Sequence, residues 1–267
     1  MPIDPARAVG AELPSRDLSW DSTDVLLYHL AVGAGELPYV YEDALCGVLP
    51  SFATVATTLG DTEPPTVRMP GVDVDLARVV HGRQEIELHQ PIPVKGRCRA
   101  RSRIAAVYDK GTAAIVVTET TTDLFTSRIS IFVKGEGGFG GDRGPDTRVP
   151  LPDREPDAEV RTPTDPRQAL WYRLLGDRNP LHVDPAFAAR AGFPRPILHG
   201  LCTYAMVLKA AIGTEPDRVA SYRARFAGVV FPGDTLHTRV WREDGRLVLQ
   251  ASVGDRPVLS DAVVTLR

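Results

Sequence analysis

Hydrophobic and polar residues alternate along this chain in two sets of short runs rich in β-branched residues, and each set follows a short amphipathic helix. In the first set the runs are Glu85–Leu88, Cys98–Tyr108, Ala113–Thr121 and Ile129–Val133. In the second they are Tyr222–Phe231, Leu236–Trp241, Leu247–Val253 and Val258–Leu266. A period of two predicts strands with one face buried. The turns between the runs correspond. Gly96 of Val-Lys-Gly and Gly233 of Phe-Pro-Gly lie 137 positions apart, and Gly111 and Gly245 lie 134 apart. A near-constant offset predicts a duplicated unit of helix plus antiparallel meander, hence an α+β class.

The helices ahead of the strands repeat as well. One is predicted near Thr23–Val32, with Leu26/Leu30 and Tyr28, ending at Gly33. The other follows Asp165 as cap and Pro166 in its first turn, pairing Leu170/Leu174 and Trp171/Leu175 at i, i+4. A central apolar helix is predicted at Leu201–Ile212, where Leu201, Ala205, Leu208 and Ile212 share a face and Gly213 stops the chain. Its counterpart in the first half, Pro50–Leu59, is weakened by Thr54, Thr57 and Thr58. Between the sets, glycines crowd 135–144 and prolines follow at 150, 152, 156 and 163, which predicts a connector. The expected division is a non-catalytic half at 1–133, a connector at 134–163 and a catalytic half at 164–267.

Candidate chemistry concentrates in Gly176-Asp177-Arg178-Asn179-Pro180-Leu181-His182. On a continuous helix Asp177 and His182 would stand roughly 140° apart, at about 100° per residue. They converge only where the helix stops. Gly176 supplies a left-handed terminus, and Pro180 biases Asn179 away from the helical region. The product is a stiff loop presenting a carboxylate and an imidazole, a pair suited to acid–base work on water. Aligning Tyr28 with Tyr172 puts Gly33 opposite Asp177, and the stretch Gly33–Pro38 holds neither Asn-Pro nor histidine. One catalytic loop per chain is expected. Asn179 either positions the water or His182, or forms an Asx turn before Pro180. His199 and Cys202 are expected to be structural, and Asp184 to cap the segment that begins at Pro185.

With Tyr172, Gly176, Asp177, Asn179, Pro180, Leu181, His182, Phe187 and Ala188, and with Ile197-Leu198-His199-Gly200 before the apolar helix, the chain resembles the hydratase 2 family. These are MaoC-like, (R)-specific enoyl-CoA hydratases. The resemblance implies a double hot-dog fold, in which each sheet wraps a helix. It implies reversible hydration of trans-2-enoyl-CoA to (R)-3-hydroxyacyl-CoA, with Asp177, His182 and Asn179 catalytic and Gly200 at an oxyanion site. It further implies that the vacated helix space near Val48–Leu59, with Val55 and Ala56, takes a medium to long acyl tail. Two alternatives keep the fold: a dehydratase acting on carrier-protein thioesters, for which Arg97, Arg99, Arg101 and Arg103 offer a basic strand face, and an acyl-CoA thioesterase.

Composition narrows the remaining classes. The 267 residues carry 31 basic and 34 acidic side chains, a balance that gives no electrostatic case for nucleic acid or an anionic membrane. Three scattered cysteines, Cys46, Cys98 and Cys202, fit a reducing compartment. With no apolar leader or span read in the sequence, a cytoplasmic protein is expected. His29, His81, His89 and His237 have no metal-ligand spacing, and the glycine-rich stretch lacks a phosphate-loop context. No metal and no organic cofactor are therefore expected. The partner is an acyl-CoA substrate, and a homodimer is an admissible assembly.

Overall fold

A computed structural model describes residues 2–267. Its first half runs α1 (Pro5–Ala8), β1 (Glu12–Trp20), α2 (Ser22–Ala31), α3 (Leu37–Val40), α4 (Phe52–Ala56) and the small hairpin β2 (Val67–Met69)–β3 (Val72–Val74). The meander β4 (Val79–Leu88), β5 (Gly96–Asp109), β6 (Ala113–Thr121) and β7 (Phe125–Lys134) follows. The second half runs β8 (Ala158–Pro163), α5 (Gln168–Tyr172), α6 (Pro185–Arg190) and α7 (Gly200–Ile212). It closes with β9 (Val219–Phe226), β10 (Thr235–Glu243), β11 (Arg246–Val253) and β12 (Arg256–Leu266).

Ten strands form one antiparallel sheet in the order β1-β5-β6-β7-β4-β9-β12-β11-β10-β8. The order is a palindrome about the β4–β9 junction, so the two sequence repeats are related by a pseudo-twofold axis. Five residue pairs make that junction, from Arg83↔Arg225 to Glu87↔Ser221. The expected α+β class and strand duplication are present. The edge strands β1 and β8 are additions. In β1 only Leu18 and Trp20 are buried, and β8 has no fully buried residue. An edge strand with so little burial leaves a weak hydropathy signal, and β8 lies inside the Pro-rich stretch that reads as connector. The run expected at Tyr222–Phe231 ends at Phe226. Beyond it Val230 turns to accept a hydrogen bond from Leu198 N–H.

The helix α7 fills the second half. All residues from Cys202 to Leu208 are buried, as expected of a helix enclosed by a sheet. Truncating Leu208 to Ala would cost about 2–5 kcal/mol. The counterpart α4 has only five residues. The hydroxyls of Thr54, Thr57 and Thr58 each donate to a carbonyl three residues back, at 2.8, 3.1 and 3.1 Å. Such local bonds compete with helix propagation.

The helix α5 departs from expectation. Leu170, Trp171 and Leu174 stay exposed, while Ala169, Tyr172 and Leu175 turn inward. The helix is one turn and a short 3₁₀ extension, so its inward face is set by Tyr172, as that of α2 is by Tyr28. Leu27 and Leu30 of α2 are exposed likewise. The connector is ordered by one carboxylate. Asp109 accepts from the N–H groups of Gly138, Gly111 and Gly140 at 2.9, 2.7 and 2.7 Å. Gly138 and Gly140 have φ of +84° and +74°, which explains glycine there. These donors hold the Asp109 carboxyl below its ordinary range, Gly138 first.

His29 ties α2 to α3 and to the segment that leads into α4. Its Nδ1–H donates to Tyr39 carbonyl at 2.7 Å, and its Nε2 accepts from Leu49 N–H at 3.2 Å. Both bonds require the neutral ring, and burial lowers its pKa to about 4. A histidine ordinarily near 6.5 that is lowered by folding contributes stability present at neutral pH and lost as pH falls below 6.5. Between pH 7 and pH 5 this amounts to roughly 2 kcal/mol from His29 alone. Urea unfolding of wild type and His29→Gln at the two pH values should show the variant weaker at pH 7 but with a pH dependence smaller by about that amount.

Candidate active site

The helix carrying Tyr172 ends in a 3₁₀ turn at Arg173–Leu175, and Gly176 closes it at φ +108°. No side chain fits at 176, because a Cβ would lie 1.8 Å from the carbonyl oxygen of Thr58. Thr58 hydroxyl donates to Leu175 carbonyl at 3.2 Å, and Arg178 Nε donates to Asp61 carbonyl at 3.1 Å. The loop of the second half is therefore moored to the end of α4 in the first. Asp177 accepts from Asn179 N–H at 3.2 Å, and Asn179 Oδ1 accepts from Leu181 N–H at 3.0 Å. Asn179 thus caps the 3₁₀ turn Pro180–His182, the Asx arrangement, while also lining the cavity described below.

Asp177 and His182 are brought together. Ligating atoms of Asp177, His182 and His199 all lie within 4.8 Å of one another. His182 Nδ1–H donates to Ile197 carbonyl at 2.8 Å, which leaves Nε2 as the lone-pair nitrogen. Burial lowers the His182 pKa, with the Asp177 charge opposing that shift. His199 stacks on His182 with ring centroids 3.7 Å apart and planes 26° apart. Its Nε2 lies 3.4 Å from Asp177 carbonyl, so it supports both members of the pair. Burial pushes the His199 pKa well down, and the ring is neutral. Near-parallel imidazoles direct their lone pairs side by side rather than at one point, a poor set for a shared metal ion.

Gly200 begins α7 with no side-chain cap, so the first N–H groups of a 13-residue helix open toward the cavity. A Cβ at 200 would meet the Phe226 ring at 3.1 Å. Cys202 is buried, with its thiol pushed up by desolvation, and Asp184 caps α6 by accepting from Ala186 N–H at 2.8 Å. Both match the structural expectation.

Asp177, Asn179, His182 and Gly200 share a cavity of about 540 Å³ at the interface of the two halves. Its first-half wall includes Thr54, Val55, Thr57 and Thr58, with Val79 and Ile131. Val48 and Ala56, expected near the tail, lie in the core instead. Because the threonine hydroxyls are turned to backbone carbonyls, this wall offers mainly hydrocarbon. Three features of the site were not legible in the sequence, although Tyr172 itself belongs to the motif. The Tyr172 hydroxyl is buried without a protein partner among the described residues. Phe226 and His81 face each other across the halves with ring centroids 4.7 Å apart. A bulge at Gly82, between the pairs His81↔Ile131 and Arg83↔Ser130, turns His81 to the cavity face. A glycine within a strand was the available signal.

Comparison with known proteins places this geometry. Residues 18–135 match the MFE-2 hydratase 2 N-terminal domain, and residues 148–264 match the MaoC like domain. The chain is 48% identical to Enoyl-CoA hydratase ChsH3 of Mycobacterium tuberculosis, over 99% of this chain and 97% of that protein. It belongs to the MaoC-like hydratase 2 family. Peroxisomal multifunctional enzyme type 2 of Mus musculus is 37% identical over 97% of this chain, which spans 38% of that larger protein. A solved MaoC-like dehydratase from Phytophthora capsici superposes with a TM-score of 0.89 at 27% identity, covering 99% of this chain and 98% of that one.

The mooring of the loop gives a test. Gly176→Ala should displace Asp177 and reduce turnover at least about a hundredfold, the scale of a mispositioned reacting group. Thr58→Val, which removes the hydroxyl that donates to the Val55 and Leu175 carbonyls and keeps the volume, should lower kcat several-fold at unchanged melting temperature. Steady-state kinetics and thermal denaturation of both variants check this.

Proposed function

We infer that this protein catalyses reversible hydration of trans-2-enoyl-CoA to (R)-3-hydroxyacyl-CoA. The carrying observation is the carboxylate of Asp177 and the free Nε2 of His182 in one cavity, at an uncapped helix N-terminus, in one of two repeats. Family membership supports the thioester substrate and the (R) product.

In the proposed cycle a water sits between Asp177 and His182. Asp177 accepts one of its hydrogens and orients it. His182 Nε2 takes the other proton as hydroxide adds to C3. The electron pair moves to the thioester oxygen, which the N–H groups at Gly200 and Leu201 stabilise, an effect worth about 3–4 kcal/mol per donor in other enzymes. The imidazolium, steadied by the Asp177 charge, then returns its proton to C2 on the same face. The net addition is one water, and dehydration is the reverse. Asn179 is assigned to hold the loop and to offer its amide nitrogen to the water. This cycle needs no metal and no organic cofactor.

The proposed division of labour gives 164–267 the chemistry, 1–133 the acyl pocket, and 134–163 the link. Medium to long acyl chains are the proposed substrates, supported by the hydrocarbon wall at Thr54–Thr58. The thiols of Cys46, Cys98 and Cys202 are free, which supports a reducing, cytoplasmic setting. Among the described residues no helix is long and apolar enough to cross a membrane. A homodimer is the proposed assembly, and Leu27, Leu30, Trp171 and Leu174 are exposed apolar side chains on α2 and on α5 with its 3₁₀ extension. Two of the four arginines on the basic strand face of β5 are met by partners, Arg99 by Asp17 and Arg103 by Glu119.

Asp177→Asn and His182→Gln should each lower kcat by about 10²–10⁴-fold with circular dichroism unchanged. Loss of enoyl thioester absorbance and chiral analysis of the product check this. Retention of more than a tenth of the activity, or an (S) product, contradicts the assignment. Across chain lengths kcat/KM should rise from crotonyl-CoA to longer substrates, since each buried methylene contributes up to about 0.8 kcal/mol. Val55→Phe should penalise the longer substrates and spare crotonyl-CoA. Equal losses at every length would remove the pocket from the first half.

A further inference from the structure

A second cavity, of about 630 Å³, lies under the connector, and Gly144, Pro145 and Thr147 form part of its wall. Its floor is the sheet face opposite α7. Four cations line it, Arg83, Lys110, Arg128 and Arg225, with Glu85 the single carboxylate among the lining residues. Arg83 and Arg225 are register partners across the β4–β9 junction. Arg225 is paired with Asp261 at 2.5 Å and Arg128 with Glu119 at 2.7 Å, and both guanidinium groups remain part-exposed.

Arg83 is different. It is 9% exposed, its Nε donates to Glu85 at 2.8 Å, and its Nη2 is buried with no partner among the described residues. A buried cationic donor left unmet is costly, and a phosphate or carboxylate is the acceptor that matches its fork. Glu85 already occupies one side.

The two cavities meet at one place. The β4–β9 pairing stops at Arg83↔Arg225, and the chain after Phe226 follows β12, with Ala227 N–H donating to Val258 carbonyl. There the halves part. Val80, His81, Ile131 and Phe226 line both the catalytic cavity and the basic one. The same four residues thus border the cavity of the acid–base pair and the one that holds a buried, half-met arginine.

We propose that the basic cavity receives the phosphate of the 4′-phosphopantetheine arm, and that the arm passes between the halves beside His81 and Phe226 to present its thioester to Asp177 and His182. Arg83 is the anchor, and Arg225, paired with Asp261, and Lys110, whose Nζ donates to the Arg143 carbonyl, add positive charge to the wall. This assignment rests on the hydratase reading and adds to it the means by which the carrier is recognised. Coenzyme A and an acyl carrier protein both bear this phosphate. Pantetheine does not.

The experiment presents one enoyl group on three carriers: coenzyme A, acyl carrier protein and pantetheine. It compares wild type with Arg83→Met, Arg225→Met and Lys110→Met. Each variant should raise KM for the coenzyme A thioester about tenfold, the scale of one charge-assisted hydrogen bond, at unchanged kcat. KM for the pantetheine thioester should stay within about twofold, and that activity is each variant's own control for folding. If Arg83→Met does not fold, the two more exposed positions decide. A carrier-protein thioester with lower KM and the same sensitivity assigns the phosphate to that source, and preference for coenzyme A assigns it to the nucleotide. Equal effects on the coenzyme A and pantetheine thioesters, or none on either, overturn the proposal. Should wild type hydrate none of the three, the hydratase reading fails. Calorimetry with 4′-phosphopantetheine against pantetheine then tests the phosphate site by itself, and equal binding of the two would overturn it.

Discussion

Five residue pairs between β4 and β9 join two repeated units into one sheet, and most of what is distinctive about this molecule follows from where that pairing begins and ends. Over its length Ile86 and Tyr222 on one face belong to the common core. Arg83, Glu85 and Arg225 lie on the other. Where the pairing stops, two strands that were hydrogen-bonded diverge, and unpaired backbone there is acceptable only because the chain after Phe226 finds new partners in Val258 and Leu198. The divergence is what places a cavity between the units, and both units contribute to its walls.

The two units have drifted in opposite directions from a shared plan. The second retains a 13-residue helix and carries the acid–histidine loop. The first retains a five-residue remnant, held down by His29 and by threonine hydroxyls bonded to backbone carbonyls. The remnant is still needed. Gly176 has no room for a side chain because Thr58 is against it, so the acid–histidine loop of the second half takes its shape from the first. The short helix of the first repeat borders the cavity and forms the surface that the loop leans on.

Electrostatics in the site favours a neutral imidazole beside a carboxylate. Burial disfavours the charged form of His182, the adjacent carboxylate opposes that, and the stacked His199 is kept neutral by its own burial. A base that is unprotonated at rest yet stabilised once protonated can take a proton from water and return it. The uncapped start of α7 adds partial positive charge to the cavity wall at Gly200. A hydrophilic cap at His199 would have occupied those amides.

Local patterning determined the strands of the two meanders, the central helix, the duplication and the loop in which Asp177 and His182 converge. Each is set by residues near in sequence: alternation, a helical stripe, a glycine stop, a proline. The edge strands β1 and β8 escaped because an edge buries too little to alternate, and the inward face of α5 was misjudged because one helical turn is oriented by its neighbours rather than by its own apolar count. Asn179 could be read as a cap from Pro180, but its place in the cavity wall could not. The contributions of His81, Phe226, Thr58 and Arg83 come from strands and turns far apart in the chain. A one-residue bulge decides which face His81 takes, and only the packing of one repeat against the other determines which side chains then meet across the seam.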